Sequence, residues 1–205
     1  MPRALAHRPA QVLRTLHGDG AVTRLQIGHG LAGHSGRPRS GAAEQIERVP
    51  TTWAAMNATR HVASVKAEDC VGIFWPVATA RCGTSRTTEI RRLVEALMLR
   101  KAVVGARWHG PAELLSARRP DGSPCIAIRR VNVFANAEEA AAGMNSVVPF
   151  LPEDRLHATG GKFESSGVFA RHVAVDGALI TGQNPASSTV VAEAMVRHLR
   201  EQQRQ

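Results

Sequence analysis

Tyrosine is absent from this chain, and aromatic residues make up only 4% of its 205 positions. Proteins that bind single-stranded nucleic acid stack successive bases on aromatic rings, so that class has little to build on here. Three cysteines occur, Cys70, Cys82 and Cys125, and none has a CxxC partner. That argues against a disulfide framework and against a cysteine-based zinc site. No apolar run reaches the length of a membrane span. The opening MPRALAHRPAQVLRTL is basic and lacks acids, and it also lacks the unbroken apolar core of a secretory signal. It is read as a helix of the domain, with a mitochondrial transit peptide as the alternative. Together these absences predict a cytoplasmic chain with no membrane association.

What is there suits one domain with a sizeable core: 43% of the residues are apolar. The net charge of +9 is unevenly placed, with 16 basic against 7 acidic residues in 1–108 and 10 of each in 109–205. A basic half can attract nucleic acid or an anionic surface. No helix-turn-helix or basic helix accompanies it, so a solvated Arg-rich surface is favoured and nucleic acid is not expected as a partner.

The spacing of Leu5, Val12, Leu13 and Leu16 predicts a helix over 4–16. AVTRLQI, 21–27, follows a Gly-Asp-Gly turn and reads as a strand. Residues 28–52 form a long Gly-, Pro- and Ser-rich loop. His29 and His34 lie in it, and nothing downstream completes a metal set, so they read as surface histidines. A strand over 71–75 ends at Pro76. Ile90, Leu93, Val94, Leu97 and Met98 give 87–101 helical spacing. AVVGA, 102–106, is a buried-type strand, and PAELLSARR opens a helix. DGSP at 121–124 is a turn, RRVNVF a strand, NAEEAAAG a short helix, and VPFLPEDRLHATGG a further helix. RHVAVDGALITG alternates around Asp176-Gly177, which predicts a hairpin with a type I′ turn. In QNPASSTVVAEAMVRHLREQ, Asn184 is a predicted N-cap and Pro185 fits the first helical turn. Strands alternating with helices imply an α/β sandwich around a mostly parallel sheet. There is no internal repeat, and a single domain is expected: a well-patterned 60–205 and a loop-rich 1–59.

Residues 105–115, GARWHGPAELL, read as a strand, a sharp turn and a helix start. In many α/β proteins that layout carries a nucleophile at the bend. The residue at this bend is Trp108.

HGPAELL, NVFANAEEAA, VVPFLPEDRL, GGKFES and DGALITGQNPASS resemble the ThiJ/PfpI superfamily, the class I glutamine amidotransferase-like fold. The similarity is greatest to its small heat-shock glyoxalase/chaperone and intracellular protease/amidase group. It is nearly gapless from about 101 to 199, thinner over 60–100 and faint before that. The resemblance implies a flavodoxin-like three-layer sandwich. It implies an elbow cysteine in a Cys-His-Gly-Pro motif whose thiolate attacks methylglyoxal or a related aldehyde adduct. The next histidine and a Glu after the following strand complete a triad. A Gly-Gly-His-Gly loop offers backbone donors to the oxyanion, and a Glu near the chain start touches the thiol. No metal or cofactor is implied; a small aldehyde substrate and a homodimer are.

Carried onto this chain, His109 matches the histidine and Glu139 the carboxylate. Trp108 stands where the cysteine should be. Val77 and Ala78 open a VATA stretch in place of the glycine-rich loop. Arg3 or Ala4 holds the place of the first acid, and the family's first strand has no counterpart in the sequence. An indole N–H is a donor with no basic lone pair, so Trp108 cannot add to a carbonyl. A bulky residue is also poorly suited to a strained elbow, and Val77 resists the positive φ that glycine supplies.

The bland readings stand beside these. His109 can persist as part of the frame alone. Glu139 can cap its helix as readily as orient His109. Cys82, just past the altered loop, has no base to pair with. Cys70 and Cys125 are expected in the core. QNPASS reads as a hairpin exit and helix cap, and Glu113 as an ordinary first-turn acid. The expected function is therefore a glyoxalase- or amidase-type protein without its nucleophile. The alternatives are an active enzyme in which a Cys codon was read as Trp, and a non-enzymatic holdase or binding protein.

Overall fold

The computed structural model describes residues 11–16, 22–27, 62–75 and 88–204. Six strands form one sheet: β1 (Gln11–Leu16), β2 (Val22–Ile27), β3 (Gly72–Trp75), β4 (Val103–Arg107), β7 (Val173–Asp176) and β8 (Leu179–Gly182), in the order β2-β1-β3-β4-β8-β7. The central strands β3, β4 and β8 are parallel, and β1 and β7 run against them. A second, two-stranded parallel sheet joins β5 (Arg130–Val131) to β6 (Lys162–Phe163). The helices are α1 (Thr88–Leu99), α2 (Asn136–Ala141), α3 (Pro152–Ala158) and α4 (Ser188–Gln202). This is the expected α/β sandwich around a mostly parallel sheet.

Strand β4 shows why the sheet needs a layer on each face. Val103, Val104, Gly105 and Ala106 are all buried, as a central parallel strand requires. Successive side chains point to opposite faces. Val104 and Ala106 join Ile73, Trp75 and the Ile90, Leu93, Val94, Leu97 face of α1. Val103 joins Ile180 and the Val191 and Ala194 face of α4. Each fully buried Leu or Ile contributes about 1.5–3 kcal/mol. No helix among the described residues is long and apolar enough to cross a membrane.

Four expectations need correction. The helix expected over 4–16 is overturned at 11–16: Gln11–Leu16 is strand β1, paired antiparallel with all of β2 and meeting β3 at Val12↔Phe74. The open edge of β3 decides this, because its N–H and C=O groups need a partner more than Val12 and Leu16 need a helix. The helix at PAELLSARR is a 3₁₀ stretch, Gly110–Ser116, and of RRVNVF only Arg130–Val131 is strand. The hairpin turn centres on Gly177-Ala178, with Asp176 opposite Leu179 and positive φ at Gly177 alone (59°). That is the pattern of a type II′ turn, which needs glycine only at its first central position.

A glycine is required at Gly110, just after the elbow. A Cβ there would lie 2.6 Å from the carbonyl oxygen of Trp75 and 3.1 Å from its Cβ. The obstructing atom is backbone and cannot swing away. Gly110→Ala is expected to lower stability by about 1–3 kcal/mol, read as an earlier urea-unfolding midpoint. An unchanged midpoint would mean that the elbow does not press on the end of β3.

Candidate active site

The site is built where β4 stops. Arg107 is the last strand residue, Trp108 turns the chain at φ 58°, and His109 is already helical at φ −85°, ψ −6°. Positive φ in a bulky side chain is an outlier worth about 1–3 kcal/mol of strain. The surroundings enforce it. The Trp108 N–H donates to the Gly182 carbonyl at 2.9 Å, and its carbonyl accepts from the Phe134 N–H at 3.0 Å. One bond ties the bend to the end of β8, the other to the segment that leads into α2. The elbow is closed, and the indole has not forced it open.

The indole packs at ring-centroid distances of 5.5 Å from His109 and 6.0 Å from Phe134. Phe134 in turn lies 5.2 Å from His109 and 6.1 Å from Phe169. Trp108 is half-buried, yet its Nε1 is buried with no hydrogen-bond partner. Leaving such a donor unmet costs about 1–3 kcal/mol. The residue at the bend is thus strained in its backbone and unsatisfied at its indole nitrogen.

Behind it, His109 Nε2 and Glu139 Oε1 meet at 2.6 Å, with both side chains fully buried. Glu139 is thus bonded to His109, one of the two roles its sequence position left open. Burial lowers the imidazole pKa, against the raising effects of the bond to Glu139 and of the Glu139 and Glu138 charges. The neutral ring donates Nε2–H to the carboxylate. Its Nδ1 is buried without a partner and keeps a lone pair able to take a proton.

A histidine held below its ordinary value of 6.5 binds its proton less tightly folded than unfolded. Stability contributed this way is complete above that pH and declines as pH falls through it. The slope is at most about 1.4 kcal/mol per pH unit. Thermal unfolding between neutral pH and mild acid should show the decline in the wild type and a shallower one in His109→Gln. Parallel curves would put the proton elsewhere.

Glu138, one residue earlier, carries the wider framework. Its Oε2 accepts the Ala135 N–H at 2.9 Å, closing the start of α2. Its Oε1 accepts the Phe169 N–H at 2.9 Å and Asn184 Nδ2 at 2.8 Å. Asn184 caps as expected: its Oδ1 accepts from the Ser187 N–H at 3.2 Å and from the Ser187 hydroxyl at 2.9 Å. The capped element is a short 3₁₀ turn, Pro185–Ser187, that leads into α4. QNPASS is thus structural, yet it is wired to the site through Glu138.

Sequence reasoning missed Glu138, Phe134, Phe169 and Arg107. The doubled acid in NAEEAA was a signal for the first of them. Arg107 has a buried Nη1 without a partner, and burial lowers its pKa. Glu113 stands in the first turn of its 3₁₀ stretch as expected, but it is buried and not a solvated acid. Cys70 and Cys125 are buried, as expected. Arg3, Ala4, His29, His34, Pro76, Val77, Ala78 and Cys82 lie outside the described residues. Among the described residues no three His, Cys, Asp or Glu side chains come together as metal ligands.

No family model matches this sequence. The chain is 32% identical over 122 residues to a probable glutathione-independent glyoxalase of Schizosaccharomyces pombe; the match covers 56% of this chain and 47% of that protein. The match thus spans about half the length of that curated relative. Among solved structures, the Rapid Encystment Protein of Francisella tularensis superposes with a TM-score of 0.73 at 25% identity, covering 80% of this chain and 73% of that one. Glyoxalase III from Candida albicans gives 0.72 at 19% identity, covering 83% and 76%. A ThiJ/PfpI domain protein from Brachyspira murdochii gives 0.51 at 17% identity, covering 68% and 66%. These last two share the fold.

Proposed function

We propose that this chain is a member of the ThiJ/PfpI superfamily, a reading supported by its likeness to a curated glyoxalase and by the shared fold, and that its elbow is a glyoxalase-type carbonyl site whose reacting sulfur has been replaced by an indole. The observation that carries this reading is Trp108 at φ 58° on a clamped bend, with the His109–Glu139 pair intact behind it. The bend, the histidine and its carboxylate are the parts of such a site that the described residues retain. The atom that would bond to an aldehyde carbon is not among them, and the histidine and carboxylate alone cannot supply it.

The substrate class this reading implies is a small 2-oxoaldehyde such as methylglyoxal, handled in the cytoplasm. Purified protein incubated with methylglyoxal is expected to form lactate no faster than buffer. Turnover near that of an intact relative would overturn the proposal. A homodimer belongs to the same reading, and sedimentation equilibrium would measure it. A surviving role as a holdase would appear as suppressed aggregation of a heat-denatured client.

One observation favours a second reading, an active enzyme whose codon 108 was read as Trp instead of Cys. The strained backbone and orphaned Nε1 suit a small side chain better than an indole. Those codons differ at one base, and resequencing the gene separates the two readings.

A further inference from the structure

A cavity of about 670 Å³ lies away from the elbow, between the C-terminal half of α1 and residues 118–129. Five cationic side chains line it: Arg92, Lys101, Arg118, Arg119 and Arg129. Only two acids share the lining, Glu95 and Asp121, and both are engaged. Glu95 accepts the Arg118 N–H at 2.9 Å. Asp121 accepts the N–H and hydroxyl of Ser123 at 2.9 and 2.5 Å. Arg129 is balanced by Asp176, which leaves four cations against two acids and an excess of positive charge.

Three guanidinium groups are held in place without using up their donors. Arg118 donates to the Leu115 and Ala117 carbonyls at 2.9 and 3.1 Å. Arg119 Nη2 donates to the Ala127 carbonyl at 2.8 Å. Neutral carbonyls fix a guanidinium but leave its charge intact, and each Arg has five N–H groups to share. Arg129 is paired with Asp176 at 3.1 Å, while its Nε is buried with no partner. Arg92 and Lys101 stand exposed at the rim. Met98, Leu99 and Pro120 supply an apolar wall, with Leu99 68% exposed. Cations at the C-terminal end of a helix are favoured by its dipole. That accounts for Lys101, and Asp176 accounts for Arg129; Arg118 and Arg119, anchored by neutral carbonyls, are left across the cavity.

We propose that this cavity binds a small phosphate ester of mononucleotide size, with the phosphate on the arginine cluster and the apolar or planar body against Met98, Leu99 and Pro120. Planar, pre-positioned guanidinium groups suit phosphate oxygens, and the volume lies within the range of small-molecule sites. The proposal does not rest on the elbow reading.

Isothermal titration with AMP, inorganic phosphate, adenosine and a short single-stranded oligonucleotide tests it. AMP should bind saturably, inorganic phosphate more weakly, adenosine not at all, with affinity falling as salt rises. The exposed double variant Arg92→Gln/Lys101→Gln, checked for an unchanged melting temperature, should bind AMP roughly tenfold or more weakly. His109→Ala should bind it as the wild type does, which separates this site from the elbow. No saturable binding of AMP up to millimolar concentration would overturn the proposal. So would equal binding of adenosine, full retention of affinity in the double variant, or tighter binding of the oligonucleotide than of AMP.

Discussion

Trp108→Cys is expected to form a covalent hemithioacetal with methylglyoxal that the wild-type chain does not form. The thiol proton passes to the bare Nδ1 of His109, the sulfur adds to the aldehyde carbon, and the carbonyl electron pair moves to oxygen, which takes the proton back from His109. Mass spectrometry of the intact protein should show one methylglyoxal mass on the variant, mapped to the elbow peptide. Lactate should form above the wild-type background by about 100-fold or more, a fraction of what a nucleophile with its base contributes in intact sites. Adding His109→Ala should slow alkylation of the new thiol, because the base that lowers its pKa is gone. Replacing the indole also removes the unmet Nε1 donor, which offsets part of the packing lost against Phe134. If Trp108→Cys is well folded yet neither forms the adduct nor alkylates in a His109-dependent way, position 108 is not the nucleophile position.

Glu138→Ala should cause the largest loss of stability. The carboxylate is fully buried and takes three N–H donors, from Ala135, Phe169 and Asn184. Hydrogen bonds to a charged acceptor are worth about 1.5–3 kcal/mol each. Removing all three is expected to cost about 4 kcal/mol or more, and to lower the melting temperature by about 10 °C. Glu138→Gln should fall between wild type and Ala, since its amide oxygen can accept but its NH₂ must face a donor. The loss would propagate unequally. Phe169 sits at φ 58° with its N–H on Glu138, so residues 166–172 should gain hydrogen-exchange rate before α1 does. A melting temperature within a degree or two of wild type for Glu138→Ala would show that water replaces the carboxylate freely.

The first effect runs through His109 and hence Glu139, the second through Glu138 alone, although the two acids are adjacent. In a helix, neighbouring residues project about 100° apart, so they meet different partners. Glu138 turns to the backbone of three segments, and Glu139 turns to His109. The sequence offered both acids at once in NAEEAA, with only one of them matched to a role.

What the chain determined by itself is local. The 3.6-residue spacing of Ile90, Leu93, Val94 and Leu97 made α1 legible. The unbroken apolar run at Val103 marked a strand covered on both faces. Asn184 before Pro185 marked a cap, and the strand–bend–His-Gly-Pro order marked an elbow with the wrong residue at its tip. Each of these depends on neighbours within a few positions.

Tertiary structure decided whatever depends on distant partners. Residues 11–16 became a strand because β3 had an open edge, a fact no window around Val12 contains. Trp108 holds a positive φ because Gly182 and Phe134 clamp it from two other parts of the chain. Glu138 became the central anchor because Phe169 and Asn184 arrive there through the fold. Local propensities differ by a few tenths of a kcal/mol per residue, whereas a buried donor or acceptor left unmet costs several times that. The long-range hydrogen bonds therefore settle each case that the local pattern leaves undecided.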